Sequence, residues 1–127
     1  MVQDSSNASL RLETSEIDRV VVVRVAGELD MLSERAPEEE VHARIASRPP
    51  AVVLDLREVT FFGSNGISLV LGAVQEARRN HVGFALVADS RPVLRPLEVT
   101  DVLAVVDVFG TVDGAVAALV GTSVRSA

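Results

Sequence analysis

Apolar and polar residues alternate in Leu10-Arg-Leu-Glu-Thr14, and a β-branched run, Val20-Val-Val-Val-Arg-Val-Ala26, follows and stops at Gly27. Period-two patterning and a β-branched run both read as strands, and Ser15 to Arg19 between them reads as the turn of an antiparallel hairpin. Ser33 is placed to cap a helix running to about Arg48, with Pro37 and Glu38 to Glu40 in its early turns, where a fixed φ and negative charge are tolerated. Pro49-Pro50 ends that helix, and Ala51-Val-Val-Leu-Asp-Leu56 has the composition of a central strand covered on both faces. From Gly66 to Asn80 the spacing of Ile67, Val70, Leu71, Val74 and Ala77 predicts a helix with one buried stripe. Val82 to Val87 reads as the next strand, and Ser90 to Val99 as a short helix that Pro96 shortens or kinks. Ala104 to Val108 reads as a last strand, and Thr111 as the cap of a helix to about Val120 that turns Ala115, Val116 and Leu119 inward.

The order β-β-α-β-α-β-α-β-α predicts an α/β fold, with a mixed, mostly parallel sheet of about five strands, about four helices and an N-terminal hairpin. One domain over residues 10–120 is expected, with residues 1–9 and 121–127 as frayed tails. A length of 127 residues, 48% of them hydrophobic, suffices for one self-supporting core.

Composition narrows the function classes. Zero Cys removes thiolate metal sites, thiol nucleophiles and disulfide switching. Twelve Lys plus Arg against eighteen Asp plus Glu leave a net charge of −6, and aromatic residues make up 3%. Such a chain is poorly suited to grip phosphate backbones or to stack bases, so no nucleic-acid partner is expected. The polar N-terminus has no secretory h-region. The apolar stretch Ile67 to Val74 is far short of the roughly 18 residues that span a bilayer, so a cytoplasmic protein without a membrane part is expected. Asn7-Ala8-Ser9 matches the glycosylation sequon by chance on that reading.

Catalytic constellations are not apparent. His42 and His81 lie beside helical segments outside any motif, and no HExxH, GxSxG, Walker or GxGxxG pattern occurs. Glu38, Glu39 and Glu40 point different ways around a helix and read as a solvated face. No enzyme activity, cofactor or metal is expected. The informative segment runs from Leu54 to Leu69, where a strand ends, a short loop crosses the sheet edge and Gly63-Ser64-Asn65-Gly66 opens the long helix. The flanking glycines permit tight backbone angles and close approach by another molecule. Ser64 then has two readings: a helix cap in a β–α loop, or a phosphoacceptor whose added charge the helix N-terminus tolerates. Of Phe61 and Phe62, adjacent at a strand end, one is expected in the core and the other nearer the surface. Met31 and Leu32 are either a hydrophobic staple at the start of the helix or an interface patch.

This segment resembles the STAS family, the domain of sulfate transporters and anti-sigma factor antagonists. Val53-Leu54-Asp55-Leu56 is similar to the family's strand, Val59-Thr60-Phe61 to its loop, and Ser64 with Gly66 to its phosphoacceptor turn. Val25-Ala26-Gly27-Glu28-Leu29-Asp30 is similar to the Gly-Glu-Leu-Asp after the family's second strand, and the likeness spans about Leu10 to Val120. Gly63 stands where the family usually has Asp, and Asn65 where Ser, Thr or Ala is usual.

The resemblance implies an anti-sigma factor antagonist. It would bind an anti-sigma factor with serine kinase activity, free a sigma factor, be switched off by phosphorylation of Ser64 and be reset by a PP2C-type phosphatase. Gly27, Glu28, Leu29 and Asp30, together with Phe62, Gly63, Ser64, Asn65, Gly66 and Ser68, would form the partner surface of a monomer or weak dimer. Two alternatives stand beside it. One is a constitutive STAS interaction or scaffold module, which Gly63 favours. The other is a small-molecule sensor or enzyme binding a nucleotide near the Glu28–Asp30 and Ser64 loops, disfavoured because neither a glycine-rich phosphate cradle nor an adjacent basic residue is present.

Overall fold

The computed structural model describes residues 10–29 and 35–126, with side chains through Gly121. The elements are β1 (Leu10–Ile17), β2 (Val20–Leu29), α1 (Ala36–Ala46), β3 (Ala51–Phe62), α2 (Ser64–Asn80), β4 (Gly83–Val87), α3 (Arg91–Val99), a 3-10 turn (Val102–Ala104), β5 (Asp107–Phe109) and α4 (Val112–Ser126). They build the expected α/β architecture, a five-stranded sheet in the order β1-β2-β3-β4-β5. β1 runs antiparallel to β2, and every other neighbouring pair is parallel.

Each parallel strand is added on the same side of the last, so crossovers of one hand place α1, α2 and α3 on one face of the sheet. There Ile45, Leu54, Leu56, Val70 and Leu97 join one core. On the opposite face Ala115 and Val116 of α4 pack over Val20, Val22, Ala51, Val53, Ala85 and Val87. β3 faces apolar layers on both sides, which explains its nearly unbroken apolar run. No described helix is long and apolar enough to cross a membrane.

Local chemistry sets the boundaries, and several differ from those expected. The hairpin strands are longer than alternation suggested, because Ile17 pairs with Val20 across a two-residue turn. Asp18 and Arg19 there have φ of 51° and 71°, the left-handed pair that matches the twist of a hairpin. Ser33 lies outside the described residues, and α1 starts after Arg35 with Pro37 in its first turn. Pro96 sits inside α3 without ending it. Ala104 closes a 3-10 turn rather than opening a strand, so β5 begins only at Asp107. Its register is set from β4, where the Ala88 N–H donates to the Phe109 carbonyl. Thr111 does cap α4, its Oγ1 accepting from the Gly114 N–H at 3.0 Å, and that helix continues to Ser126. In α2 the buried stripe is Gly66, Leu69, Val70, Ala73, Val74 and Ala77, and Leu71 is exposed because it lies one residue off that line.

Candidate functional site

β3 does not end at Leu56 in a loop, as the sequence suggested, but continues to Phe62. Its pairing with β2 is irregular twice. Arg24 faces Asp55 while Ala26 faces Glu58, and Gly27 faces Val59 while Glu28 faces Phe61. At each step β3 spends one residue more than β2, which is a β-bulge. The side chains turned toward the three-helix face record it: Val52, Leu54 and Leu56 are spaced by two, and the next are Val59 and Phe62. Each bulge reverses the in–out alternation. The result is Phe62 in the core at 4% exposure and Phe61 outside at 51%. Gly27, at the second bulge, has φ of 112°, a backbone setting that glycine alone adopts without strain.

The first bulge sits beside the one polar or charged side chain that is buried among the described residues, Asp55 at 1% exposure. Its Oδ1 accepts from the Arg57 backbone N–H at 3.1 Å and from Arg57 Nε at 3.0 Å. Its Oδ2 accepts from Arg57 Nη2 at 2.9 Å and from Arg24 Nε at 3.3 Å. Burial pushes the Asp55 carboxyl up, but the hydrogen bonds and charge of Arg57, with a further bond from Arg24, outweigh it and leave the group below the usual aspartate range. Asp55 in turn raises the Arg57 guanidinium. At the hairpin edge Glu40 is lowered, first by the Thr14 hydroxyl donating at 2.6 Å and then by Arg44.

The two strand ends meet α2 directly. The Gly63 N–H donates to the Leu29 carbonyl at 2.7 Å, joining the end of β2 to the start of the helix. Gly63 is the N-cap residue, with its carbonyl accepting from the Gly66 and Ile67 N–H groups at 3.0 and 3.2 Å. Ser64 is therefore the first helical residue, exposed, and the Gly63 N-cap makes no side-chain cap hydrogen bond. The first turn carries no acidic residue, so no carboxylate there offsets the positive end of the helix dipole. Gly66 is buried against the Phe62 ring. A Cβ on it would lie 2.5 Å from Phe62 Cδ1 and Cε1.

The sequence profile of the STAS domain family matches residues 11–115. The chain belongs to that family. The anti-sigma-F factor antagonist RsfB of Mycobacterium tuberculosis is 29% identical over 117 residues, covering 92% of this chain and 95% of RsfB. The crystal structure of an anti-sigma factor antagonist from Mycobacterium paratuberculosis superposes with a TM-score of 0.82 at 32% identity, over 87% of this chain and 94% of that one. The phosphorylated form of the Bacillus cell fate determinant SpoIIAA shares the fold at a TM-score of 0.62 and 20% identity, over 86% of this chain and 99% of SpoIIAA.

In this STAS domain Glu28, Ser64 and Ser68 are exposed, and Gly63 and Asn65 half-buried. The pairing of β2 with β3 and the Gly63–Leu29 bond bring them to one end of the sheet. Asp30, Met31 and Leu32 lie outside the described residues. Leu29, Phe62 and Gly66 are buried, so these three support the surface from below instead of presenting side chains on it. The phenylalanine on the surface is Phe61. Its neighbour Phe62 was the expected contact because the two bulges that set the alternation are not visible in the spacing. The glycines also act differently than expected. Gly63 is in ordinary extended geometry, φ −99° and ψ −157°, which an Asp also adopts, and Gly66 is approached closely by the Phe62 ring of its own chain. The Ser64 hydroxyl is not the helix cap, because Gly63 holds that position. His42 is half-buried with its ring against Gly72, and His81 is exposed at the left-handed C-cap of α2.

Proposed function

We propose that this STAS domain is an anti-sigma factor antagonist. It binds an anti-sigma factor that is also a serine kinase, releases a sigma factor, and is switched off when the kinase phosphorylates Ser64. A PP2C-type phosphatase resets it. The protein acts in the cytoplasm as a monomer or weak dimer, without nucleic acid, cofactor or catalytic activity of its own. One observation carries this reading: Ser64 is exposed at the first position of α2, uses its hydroxyl for no cap, and shares its end of the sheet with exposed Phe61 and Glu28. An exposed aromatic ring is the residue type that anchors partners. The names of RsfB and of the structural neighbour from Mycobacterium paratuberculosis support the partner class. Within this surface Gly27 supplies the bulge, Glu28, Phe61 and Ser68 supply contacts, Gly63 and Asn65 flank the phosphoacceptor, and Leu29, Phe62 and Gly66 hold it in place. Asp30 continues the same chain segment.

Phosphate adds about −1.5 to −2 charges at a helix N-terminus that carries no acid of its own, so the modification alters the surface without opposing the fold. The expected results are specific. Incubation with ATP and the anti-sigma factor kinases of the same genome places phosphate on Ser64, read by mass spectrometry. Ser64→Asp weakens the complex at least tenfold, which is about 1.4 kcal/mol or more, whereas Ser64→Ala binds like the parent protein. The melting temperature of Ser64→Asp stays level or rises slightly. Phosphate elsewhere, or equal affinity of both variants, contradicts the switch.

Gly63 favours a second reading, a constitutive STAS interaction module without a working switch. Because the Gly63 backbone is extended, Gly63→Asp folds normally and separates the two. If the parent protein resists phosphorylation and Gly63→Asp accepts it, the missing carboxylate has disabled the switch.

A further inference from the structure

We infer that Asp55 is a positioning residue for the partner surface: its carboxylate, by taking the N–H of Arg57, decides that Phe61 and not Phe62 faces outward. The inference deepens the antagonist reading only in treating Phe61 as a partner contact. The argument about the strand stands without it.

The count along β3 is decisive. With both bulges, the residues turned to the three-helix face are Val52, Leu54, Leu56, Val59 and Phe62. If the first bulge is lost and the second kept, Glu58 takes the inward place of Val59, and Phe61 takes that of Phe62. The exposed Phe61 ring then disappears into the core side and Phe62 is turned out. A burial of Glu58 so opposes the packing that the segment 58–62 either frays or repacks. In both cases the contrast between the two rings is lost.

Asp55 is built to hold this bulge. A bulge interrupts the ladder and leaves a backbone N–H to be satisfied elsewhere. Here the Arg57 N–H turns onto Oδ1 of the side chain two residues earlier, at 3.1 Å. A short side chain with an acceptor oxygen is the type that makes this local bond. The guanidinium groups of Arg57 and Arg24 neutralise the carboxylate, at 2.9 and 3.3 Å, and so permit its burial. Two functions are thereby divided: the backbone bond fixes the alternation, and the ion pairs fix the charge.

The test uses the full chain labelled with 4-fluorophenylalanine. It has four phenylalanines and hence four fluorine resonances, assigned by Phe→Leu substitution. The shift of each resonance between H2O and D2O reads the exposure of its ring. The parent protein shows a large isotope shift for Phe61 and a small one for Phe62. Asp55→Asn, whose Oδ1 still accepts the N–H, and Arg57→Met, whose N–H still donates, keep that contrast. Asp55→Ala reduces or inverts it. A folded Asp55→Ala protein with the parental contrast overturns the inference. If Asp55→Ala does not fold, the other two variants decide: contrast kept in both supports the backbone bond, and contrast lost in either overturns it. A second arm measures affinity for an anti-sigma factor from the same genome, at a temperature where the variants are folded. Asp55→Ala binds at least tenfold more weakly and Asp55→Asn within about twofold of the parent; equal binding by all three overturns the functional part. If the parent itself binds none, the antagonist reading fails while the fluorine contrast still decides the role of Asp55.

Discussion

Gly66→Ala lowers stability by about 2 kcal/mol, although alanine in place of glycine inside a helix ordinarily adds up to about 1 kcal/mol. The reversal comes from the Phe62 ring. A Cβ at this position would sit 2.5 Å from two ring carbons and 3.0 Å from Cγ. Because Cγ is included, rotation of the ring cannot clear the clash, and the ring or the whole first turn of α2 has to shift. Phe62 is part of the main core, so its displacement also disturbs Val59, Leu69 and the end of β3. The control lies in the same helix. Gly72→Ala would place its Cβ 3.5 Å from His42 Nε2, an ordinary van der Waals distance. That variant gains about 0.5–1 kcal/mol from helix propensity and from the restricted unfolded chain. Urea denaturation of the two variants thus yields changes of opposite sign, and thermal melting separates them by roughly 10 °C. A stabilised Gly66→Ala protein would show that α2 is not wedged on Phe62. The functional consequence is local: Ser64 is in the same turn, so Gly66→Ala also displaces the proposed phosphoacceptor, and Gly72→Ala leaves it in place.

Much of this arrangement is readable from the sequence, and the parts that are not have a common cause. The hairpin, the central strand and the helix beginning near Gly66 follow from period and from turn residues. That one of Phe61 and Phe62 is buried follows from the pleat alone. Which one is buried depends on the two bulges, and Leu56-Arg-Glu-Val-Thr60 carries no spacing signal that separates a doubly bulged strand from a loop. Asp55 offered a faint signal, a lone carboxylate in an otherwise apolar run, with Arg24 in the neighbouring strand's apolar run and Arg57 two residues on. A charge inside a two-sided strand needs a partner, and these arginines are the cations within reach. The same ambiguity displaced β5. Val102-Leu-Ala-Val-Val-Asp-Val-Phe109 is apolar almost throughout, and only its pairing with β4 selects the last three residues as strand. Single substitutions of backbone geometry, such as the left-handed Asp101 ahead of the 3-10 turn, leave no compositional mark.

Arg57→Met removes about 2–3 kcal/mol at pH 7, and the size of that loss depends on pH in a defined direction. Removing one partner of a buried ion pair generally costs 3–5 kcal/mol, because the remaining charge is stranded. The loss is smaller here because the Arg24 guanidinium and the residue-57 N–H still reach Asp55. In the parent protein Asp55 titrates below its unfolded value of about 3.9. A depressed carboxyl contributes stability that is present above the unfolded value and is lost as the pH falls through the folded one. Without the Arg57 side chain its hydrogen bond and charge no longer lower the group while the burial that raises it remains, so the folded-state value rises. The carboxylate then contributes less stability at neutral pH, and the shortfall fades as acid protonates it. The stability difference between the parent and Arg57→Met is therefore full at pH 7 and narrows steadily as the pH is lowered through 5 toward 4. Urea midpoints measured at several pH values read this directly. A difference constant from pH 7 to 4 would mean that the side chain of Arg57 acts by packing and not through Asp55. Asp55→Asn in the Arg57→Met background supplies the complementary result. It removes the stranded charge, restores most of the loss at pH 7, and leaves only the parent's own Asp55 titration, below the unfolded value of about 3.9, to make the difference depend on pH. The carboxylate is thus tolerated only in the company of its arginines, whereas the bulge beneath Phe61 needs only its oxygen.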